Sequence, residues 1–429
     1  MNAPLTSSNQ VTSDQVAGKV VIAMSGGVDS SVAAYILHRD NIPTVGVSMQ
    51  VWDYRNNGGC ADRVTCCAPS DFADARSVAT RIGIPYYVFD FEKEFHEKVI
   101  NKFVAMYGAG ETPNPCVDCN NDVKFRELRK RALSLGCRAV ATGHYAKITQ
   151  SPLGYHLYRA KDDHKDQSYF LYGLRQEELS HTLFPLADLT KSEVREIARE
   201  AGLATAEKAE SQDICFVGSK VDEFVGKRLG AKVRPGYLKS PDGKILGRHD
   251  GIHRFTLGQR RGVGISGSDV PLYVVDIDPE SATVYIGPRN SLEREGFSVG
   301  DINWISPTML QRMKSLSAED PEEMSQKSKS DSTFQFEAIV QVRHKHRGVK
   351  ALVTVHRDAS ARVKFVSEWT TPAPGQAAVF FDPENQEVLG GGRILRETRA
   401  SLQILPPETI SRSDSESRCS PRTEASDRR

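Results

Sequence analysis

The chain has 429 residues, of which 39% are apolar and 26% charged, and 56 Lys plus Arg against 55 Asp plus Glu give a net charge of +1. That length exceeds one compact domain, and the apolar share can fill the cores of two or three. No stretch approaches the roughly eighteen apolar residues that span a bilayer, and residues 1–15 lack the basic start and apolar run of a secretory signal. The expectation is a cytoplasmic protein with no membrane partner. Near-neutral charge neither demands nor excludes nucleic acid, because basic residues gather locally at Lys124 to Arg131 and Arg343 to Lys350.

From Lys19 to about Val140, short apolar runs (Val20 to Met24, Thr44 to Met49, Tyr86 to Asp90, Ala139 to Thr142) alternate with amphipathic stretches such as Ser31 to Arg39 and Asp71 to Ile82. That alternation predicts a parallel α/β sheet. Thr190, followed by Glu193 and closed by Gly202, predicts a capped helix from Thr190 to Ala201. The first domain is read as residues 18–210, behind a disordered tail of residues 1–17. Dense Gly and Pro punctuation with β runs at Leu272 to Ile277 and Thr283 to Ile286 predicts a small β-containing linker domain over 211–293. Runs at Phe336 to Val342, Lys350 to Val355, Ala377 to Phe381 and Val388 to Ile394 predict a compact β-barrel over 294–397. Polar Ser315 to Ser332 reads as a mobile insertion in it, and 398–429 as a disordered tail.

Directly after the first β run comes Ala23-Met24-Ser25-Gly26-Gly27-Val28-Asp29-Ser30-Ser31, directly before a helix pattern. Two glycines let the backbone turn tightly and approach an anion, while the amides that open the helix and the hydroxyls of Ser25, Ser30 and Ser31 donate to phosphate. The loop lacks the Gly-Lys-Ser/Thr of a Walker loop and the Gly-x-Gly-x-x-Gly of dinucleotide binders. It resembles the pyrophosphatase loop of enzymes that split ATP between its α and β phosphates, a class that needs Mg2+ to neutralise pyrophosphate. Asp29 is a candidate either to hold that ion or to fix the loop.

Eight cysteines in such a chain read as thiols, metal ligands or catalytic groups and not as a disulfide framework. Thr112-Pro113-Asn114-Pro115-Cys116-Val117-Asp118-Cys119-Asn120 joins rigid prolines to a Cys-x-x-Cys, followed by a helical pattern from Asp122 to Leu135. Cys119 is thereby expected near a helix N-terminus, where the dipole and Lys124 favour the thiolate. The pair alone suits a redox couple, half of a zinc site or catalysis. A third thiol, Cys215, lies in Ser211-Gln212-Asp213-Ile214-Cys215-Phe216. Cys60, Cys66 and Cys67 form a loop cluster, Cys137 reads as a core residue, and Cys419 sits in the tail.

SGGVDSS, TPNPCVDCN, ATGHYA (141–146), KDQSYFL (165–171), FPL with LTKSEVREIA (184–198), SQDICFV (211–217) and PGQAAVFF (374–381) together resemble one family, the tRNA-specific 2-thiouridylases, from about residue 18 to 397. The resemblance implies an N-terminal parallel-sheet domain like the adenine nucleotide alpha hydrolases, carrying the pyrophosphatase loop, then a linker domain and a tRNA-binding β-barrel. It also implies ATP-dependent adenylation of the C2 oxygen of a wobble uridine and its replacement by persulfide sulfur, with tRNA held by its anticodon arm and sulfur supplied by a desulfurase or relay protein. Carried over by position, Cys119 is the nucleophile and Cys215 the persulfide carrier. Ala23, Met24, Ser25, Gly26, Gly27, Val28, Asp29, Ser30, Met49 and Gly143 contact ATP. Asn114, Pro115 and Cys116 face the target base, and His144, Lys165, Asp166, Gln167, Arg343, His344 and Gln376 contact tRNA.

Many relatives carry Asp where this chain has Cys116, so the acid or orienting role of that Asp is open here. Cys116, Cys119 and Cys215 also match the three-thiol sets with which some related tRNA thiolases hold a 4Fe-4S cluster. Two other classes compete: an adenylating amidotransferase on the same loop, which would have no use for the Cys119 and Cys215 pair, and a non-enzymatic tRNA-binding or iron-sulfur scaffold, which would not turn ATP into AMP.

Overall fold

The computed structural model describes residues 18–52, 69–210, 214–218, 220–265, 270–317 and 333–397. Both expected tails, residues 318–332 of the expected insertion, and Cys60, Cys66, Cys67 and Cys419 lie outside the described residues. Among the described residues no helix is long and apolar enough to cross a membrane.

Strands β1 (Val20–Ala23), β2 (Thr44–Gln50), β3 (Tyr86–Asp90) and β4 (Ala139–Thr142) form a parallel sheet, followed by a hairpin of β5 (Lys147–Ser151) and β6 (Gly154–Tyr158) and a short sheet strand β7 (Thr182–Leu183). The sheet order is β3-β2-β1-β4-β7. Its Val- and Ile-rich strands are covered on both faces, as parallel strands require: Val20 and Ile22 pack with the helix Val28–Arg39 on one side, while Val21 and Val47 pack with Phe95, Phe103 and Phe216 on the other. Strand order reverses around β1, which pairs with both β2 and β4. A crevice therefore opens at the carboxyl ends of β1 and β4, the place where open α/β sheets take ligands. The predicted strands and the helix from Thr190 are present, the latter as Lys191–Glu200 with Thr190 and Glu193 forming a capping box.

After a helix at Val221–Leu229, strands β8 (Gly236–Lys239), β9 (Ile245–His249), β10 (Tyr273–Asp278) and β11 (Thr283–Gly287) make a sheet of order β10-β11-β8-β9 around Leu238, Val274, Val284 and Ile286. Then β12 (Gly296–Trp304), β13 (Thr333–Gln341), β14 (Val349–His356), β15 (Ala361–Phe365), β16 (Ala377–Phe381) and β17 (Val388–Ile394) close a barrel in the order β12-β15-β14-β13-β16-β17. Closure pairs every strand edge. Buried residues of β14 alternate with more exposed ones, which is why the sequence showed a strand pattern there.

Two local differences from the sequence reading have physical causes. Ser315, Leu316 and Ser317 end a helix, Pro307–Ser317, whose Met309 and Leu316 are buried; a polar composition concealed those two apolar anchors. The helix expected from Asp122 starts at Pro115, because proline's fixed φ and missing N–H suit the first helical position. Cys116 therefore lies in the first turn, where the dipole acts, and Cys119 one turn further in, at the start of a π-helical stretch, Cys119–Leu128.

Candidate active site

The turn after β1 is closed on itself. The Ser25 N–H donates to Ser30 Oγ at 3.1 Å, and the hydroxyls of Ser30 and Ser31 donate to Gly27 O at 3.1 and 2.8 Å. Gly26 has φ +73°, and a Cβ there would stand 2.3 Å from Asp71 O, so both conformation and space require glycine. Gly143, just past β4, approaches equally closely: its Cβ would lie 2.7 Å from Asp29 C and Ser30 N. Ser48 Oγ donates to Met24 O at 2.6 Å and accepts from Tyr86 OH at 2.7 Å, tying the loop to β2 and β3. The helix then opens at Val28, and the first amides of a helix have no partner within it. Loop, helix start and Gly143 converge on the crevice, with Met49 near the end of β2.

Charged side chains frame this loop. Asp29 Oδ1 accepts from Tyr145 OH at 2.8 Å and from Lys191 Nζ at 2.6 Å. Lys191 also pairs with Glu210 at 2.8 Å, and Glu210 with Lys165 at 2.7 Å. Burial works to raise the Glu210 carboxyl, but the hydrogen bonds from Lys165 and Lys191 outweigh it and hold it down to about 2. Burial and the adjoining Asp29 carboxylate push the Tyr145 phenol well above its ordinary range, so it stays a donor. On the other flank Lys208 bonds Gly26 O at 3.0 Å, Asp71 at 2.7 Å and Asp74 at 2.5 Å. Asp29 thus anchors the loop through two donors on one oxygen.

The thiols lie on the opposite face of the sheet. Cys119 and Cys215 are half-buried and pack against the same core, although far apart in sequence. Phe216 fixes the second of them: its ring meets Phe95, Phe103 and Phe224 at centroid separations of 5.5, 5.2 and 5.4 Å. Cys116 is exposed. Among the described residues no three His, Cys, Asp or Glu side chains are gathered to hold a metal ion, so the three thiols do not form a ligand set in this conformation. Cys137 is buried, and burial pushes its thiol up. Asp118, beside Cys119, is buried and paired with Lys102; burial raises its carboxyl against the pull of that ammonium.

The segment expected to face the base is clamped from the barrel. Thr112 N donates to Pro374 O at 2.8 Å, and Gln376 Nε2 donates to Thr112 O at 2.8 Å. Asn114 is extended and Pro115 buried. Of the other residues expected at tRNA, Arg343 is exposed, together with Lys345 and Arg347. The His344 ring lies 4.4 Å from that of Phe170, and burial lowers its pKa. Lys165 is engaged by Glu210, and Gln167 Oε1 accepts the Tyr145 N–H at 3.0 Å. Asp166 is turned inward, accepting from Arg159, the Ala160 and Ser168 amides and the Ser168 hydroxyl. The same guanidinium of Arg159 also donates to Gln341 and Asn385 and lies over Phe381 at 3.7 Å, joining the first domain to the barrel. His144 sits between the rings of Phe125 and Phe184, with Nδ1 2.6 Å from the Thr142 hydroxyl. Burial, reinforced by Lys124, drives its pKa well below 6.5 and keeps the ring neutral.

Sequence reasoning overlooked Lys191, Lys208, Glu210, Asp71 and Tyr145. Tyr145 and Lys191 stand inside the quoted motifs ATGHYA and LTKSEVREIA, so the signal was present; Asp71 and Lys208 have no local signature, because only the fold carries them to the loop.

Three family models match the chain in order: a tRNA methyl transferase HUP domain over residues 18–219, a tRNA methyl transferase PRC-barrel domain over 222–288, and an aminomethyltransferase beta-barrel domain over 294–394. A protein of Sorangium cellulosum (strain So ce56) named tRNA-specific 2-thiouridylase MnmA is 43% identical over 388 residues, covering 89% of this chain and 93% of the relative. One of Geotalea uraniireducens (strain Rf4) with the same name is 44% identical over 382 residues, covering 88% and 94%. With a parallel sheet that carries the phosphate loop, a closed C-terminal barrel, and identity of this extent along nearly the whole of both chains, the protein belongs to the tRNA-specific 2-thiouridylase family.

Proposed function

We propose that this protein is a tRNA 2-thiouridylase, a sulfurtransferase that uses ATP to exchange the C2 oxygen of the wobble uridine for sulfur. The observation that carries this reading is the pairing of a phosphate loop at the switch point of the sheet with two thiols, Cys119 and Cys215, on one core beneath it. ATP lies along Ala23 to Ser30 between Met49 and Gly143. The uridine C2 oxygen attacks the α phosphorus; a C–O–P bond forms, the bond to the β phosphate breaks, and pyrophosphate leaves. Mg2+ bound with ATP would neutralise the charge of that pyrophosphate, while Asp29, held by Tyr145 and Lys191, keeps the loop in shape.

Sulfur arrives on Cys215 as a persulfide from a desulfurase or relay protein. The Cys119 thiolate attacks the inner sulfur, hydrosulfide leaves, and a Cys119–Cys215 disulfide forms. Hydrosulfide adds to C2 and AMP departs, leaving the thiocarbonyl; an external dithiol reduces the disulfide by two electrons. Asn114 and Pro115 face the extruded base. Exposed Arg343, Lys345 and Arg347 meet the phosphates of the anticodon arm.

The description of the first family model names methyl transfer. The thiol pair and the ATP-splitting loop favour sulfur transfer, and one experiment separates the two. The chain is incubated with unmodified tRNA, ATP, Mg2+, S-adenosylmethionine as a methyl donor, and a cysteine desulfurase with L-cysteine, and the nucleosides are resolved by mass spectrometry. 2-Thiouridine with stoichiometric AMP is expected; a methylated nucleoside, or ATP turnover without sulfur incorporation, refutes the reading.

A further inference from the structure

The helix Asn101–Gly108 ends where all three domains meet. The carbonyls at a helix C-terminus have no partner within the helix, and Ala109 and Gly110 carry the chain out of this one. Arg396, just past the end of β17 at Ile394, closes that turn. Its Nη2 donates to Ala109 O at 3.1 Å and to Gly110 O at 2.7 Å, and its Nη1 donates to Ile277 O in β10. One guanidinium on the barrel thus bonds the main chain of the first domain with one arm and that of the central sheet with the other. A planar fork holds acceptors on two sides in this way; a point-like ammonium does not.

The central domain presses on the same turn. Gly110 has φ +68°, and a Cβ there would stand 2.7 Å from Ile277 Cγ2 and 3.4 Å from Ile252 Cδ1, so backbone and space both call for glycine. At Gly108 a Cβ would lie 3.0 Å from Leu229 Cδ2, and the Tyr107 hydroxyl is hydrogen-bonded to Thr256. Only Glu111, Thr112 and Pro113 separate this turn from Asn114. Glu111 N bonds back to Met106 O at 2.9 Å and Thr112 N bonds Pro374 O at 2.8 Å, so a shift at Gly110 meets little slack before it reaches Asn114 and the thiols.

We infer that Arg396 is a positioning residue for thiolation: by pinning Ala109 and Gly110 to β10, it fixes the point from which Thr112 to Cys116 approaches the target base, and it gives the central domain a part in the reaction. This rests on the thiouridylase reading. The test uses the full chain carrying Arg396→Met, which removes every donor, and Arg396→Lys, which keeps the charge but not the fork. Misplacing a reacting group by an ångström can cost about a hundredfold in rate. With the desulfurase assay above, kcat of the Met variant is expected to fall roughly tenfold while Kd for ATP and for tRNA stays within about twofold, and the Lys variant is expected to fall between Met and parent. A weakened tRNA Kd with unchanged kcat at saturating tRNA overturns the inference, as does no change in either parameter.

Hydrogen–deuterium exchange of the tRNA-free chain supplies a readout that needs no activity. In the Met variant the amides of Glu111 to Cys119 should exchange faster, while those of β1 and the phosphate loop keep the parent's rate. Faster exchange throughout the chain would show a general loss of stability and overturn the inference, as would an unchanged rate at Glu111 to Cys119. Should the Met variant fail to fold, the Lys variant is judged by the same outcomes. If the unsubstituted chain thiolates nothing, it is the functional reading that fails, and exchange alone decides whether Arg396 sets the segment.

Discussion

The nucleotide half and the thiol half of the site are built in opposite ways. Ala23 to Ser31 is one continuous segment whose serines bond its own carbonyls and amide, so its shape travels with its sequence. The thiol half is drawn from Thr112 to Cys119, Cys215 to Val217, Tyr169 and Pro374 to Ala377, and takes its shape from contacts among them. The loop is shaped first from within and then braced by Ser48, Lys191 and Lys208. A segment held by distant partners is sensitive at each of those partners.

The contrast can be broken first at Gly26. Gly26→Ala combines a positive φ with a Cβ 2.3 Å from Asp71 O, and should cost about 3 kcal/mol in urea unfolding and abolish ATP binding. Gly83→Ala, at φ +77° with nothing within 4 Å, isolates the backbone component and should cost about 1 kcal/mol without touching ATP. Equal losses would mean that the close packing on Asp71 is not what shapes the loop.

On the side proposed to meet tRNA, Arg343→Ala removes one exposed cation outside the loop. Its plot of log affinity against log salt should be shallower by about 0.7 to 0.9, with ATP affinity unchanged. An unchanged slope would make Arg343 an ordinary solvated charge.

The smallest effect concerns pH. The folded pKa of His144 lies below the unfolded value of 6.5, with burial the main cause. Between those two values the unfolded chain binds the extra proton, so this contribution to stability is complete above 6.5 and is lost as pH falls below it. His144→Gln should flatten the decline of stability below pH 6.5 by at most about 1.4 kcal/mol per pH unit in paired denaturation curves. Parallel curves for variant and parent would show that the ring titrates alike in both states.

Legibility followed the same division. The four main strands, the capped helix after Thr190 and the phosphate loop could be read because period, caps and glycines are local properties. The barrel was read from four of its strands; β15 at Ala361–Phe365 is short and half polar and gave no run of its own. Helix placement after the prolines slipped because Pro115 starts a helix, whereas Asn114 before it is extended. What no local pattern could carry was pairing across the fold: Lys208 with Asp71 and Gly26, Arg159 with Asp166 and Gln341, and Gln376 with Thr112.

In the proposed mechanism ATP chemistry and sulfur chemistry are separate tasks of the two halves. Its most direct test is to replace Cys119 and Cys215 singly by serine and follow tRNA-dependent pyrophosphate release alongside 2-thiouridine. Both variants should still release pyrophosphate and bind ATP as the parent does, while forming no 2-thiouridine with a persulfide donor. Continued thiolation by either variant would contradict the assignment of nucleophile and carrier, and loss of ATP binding in either would contradict the separation itself.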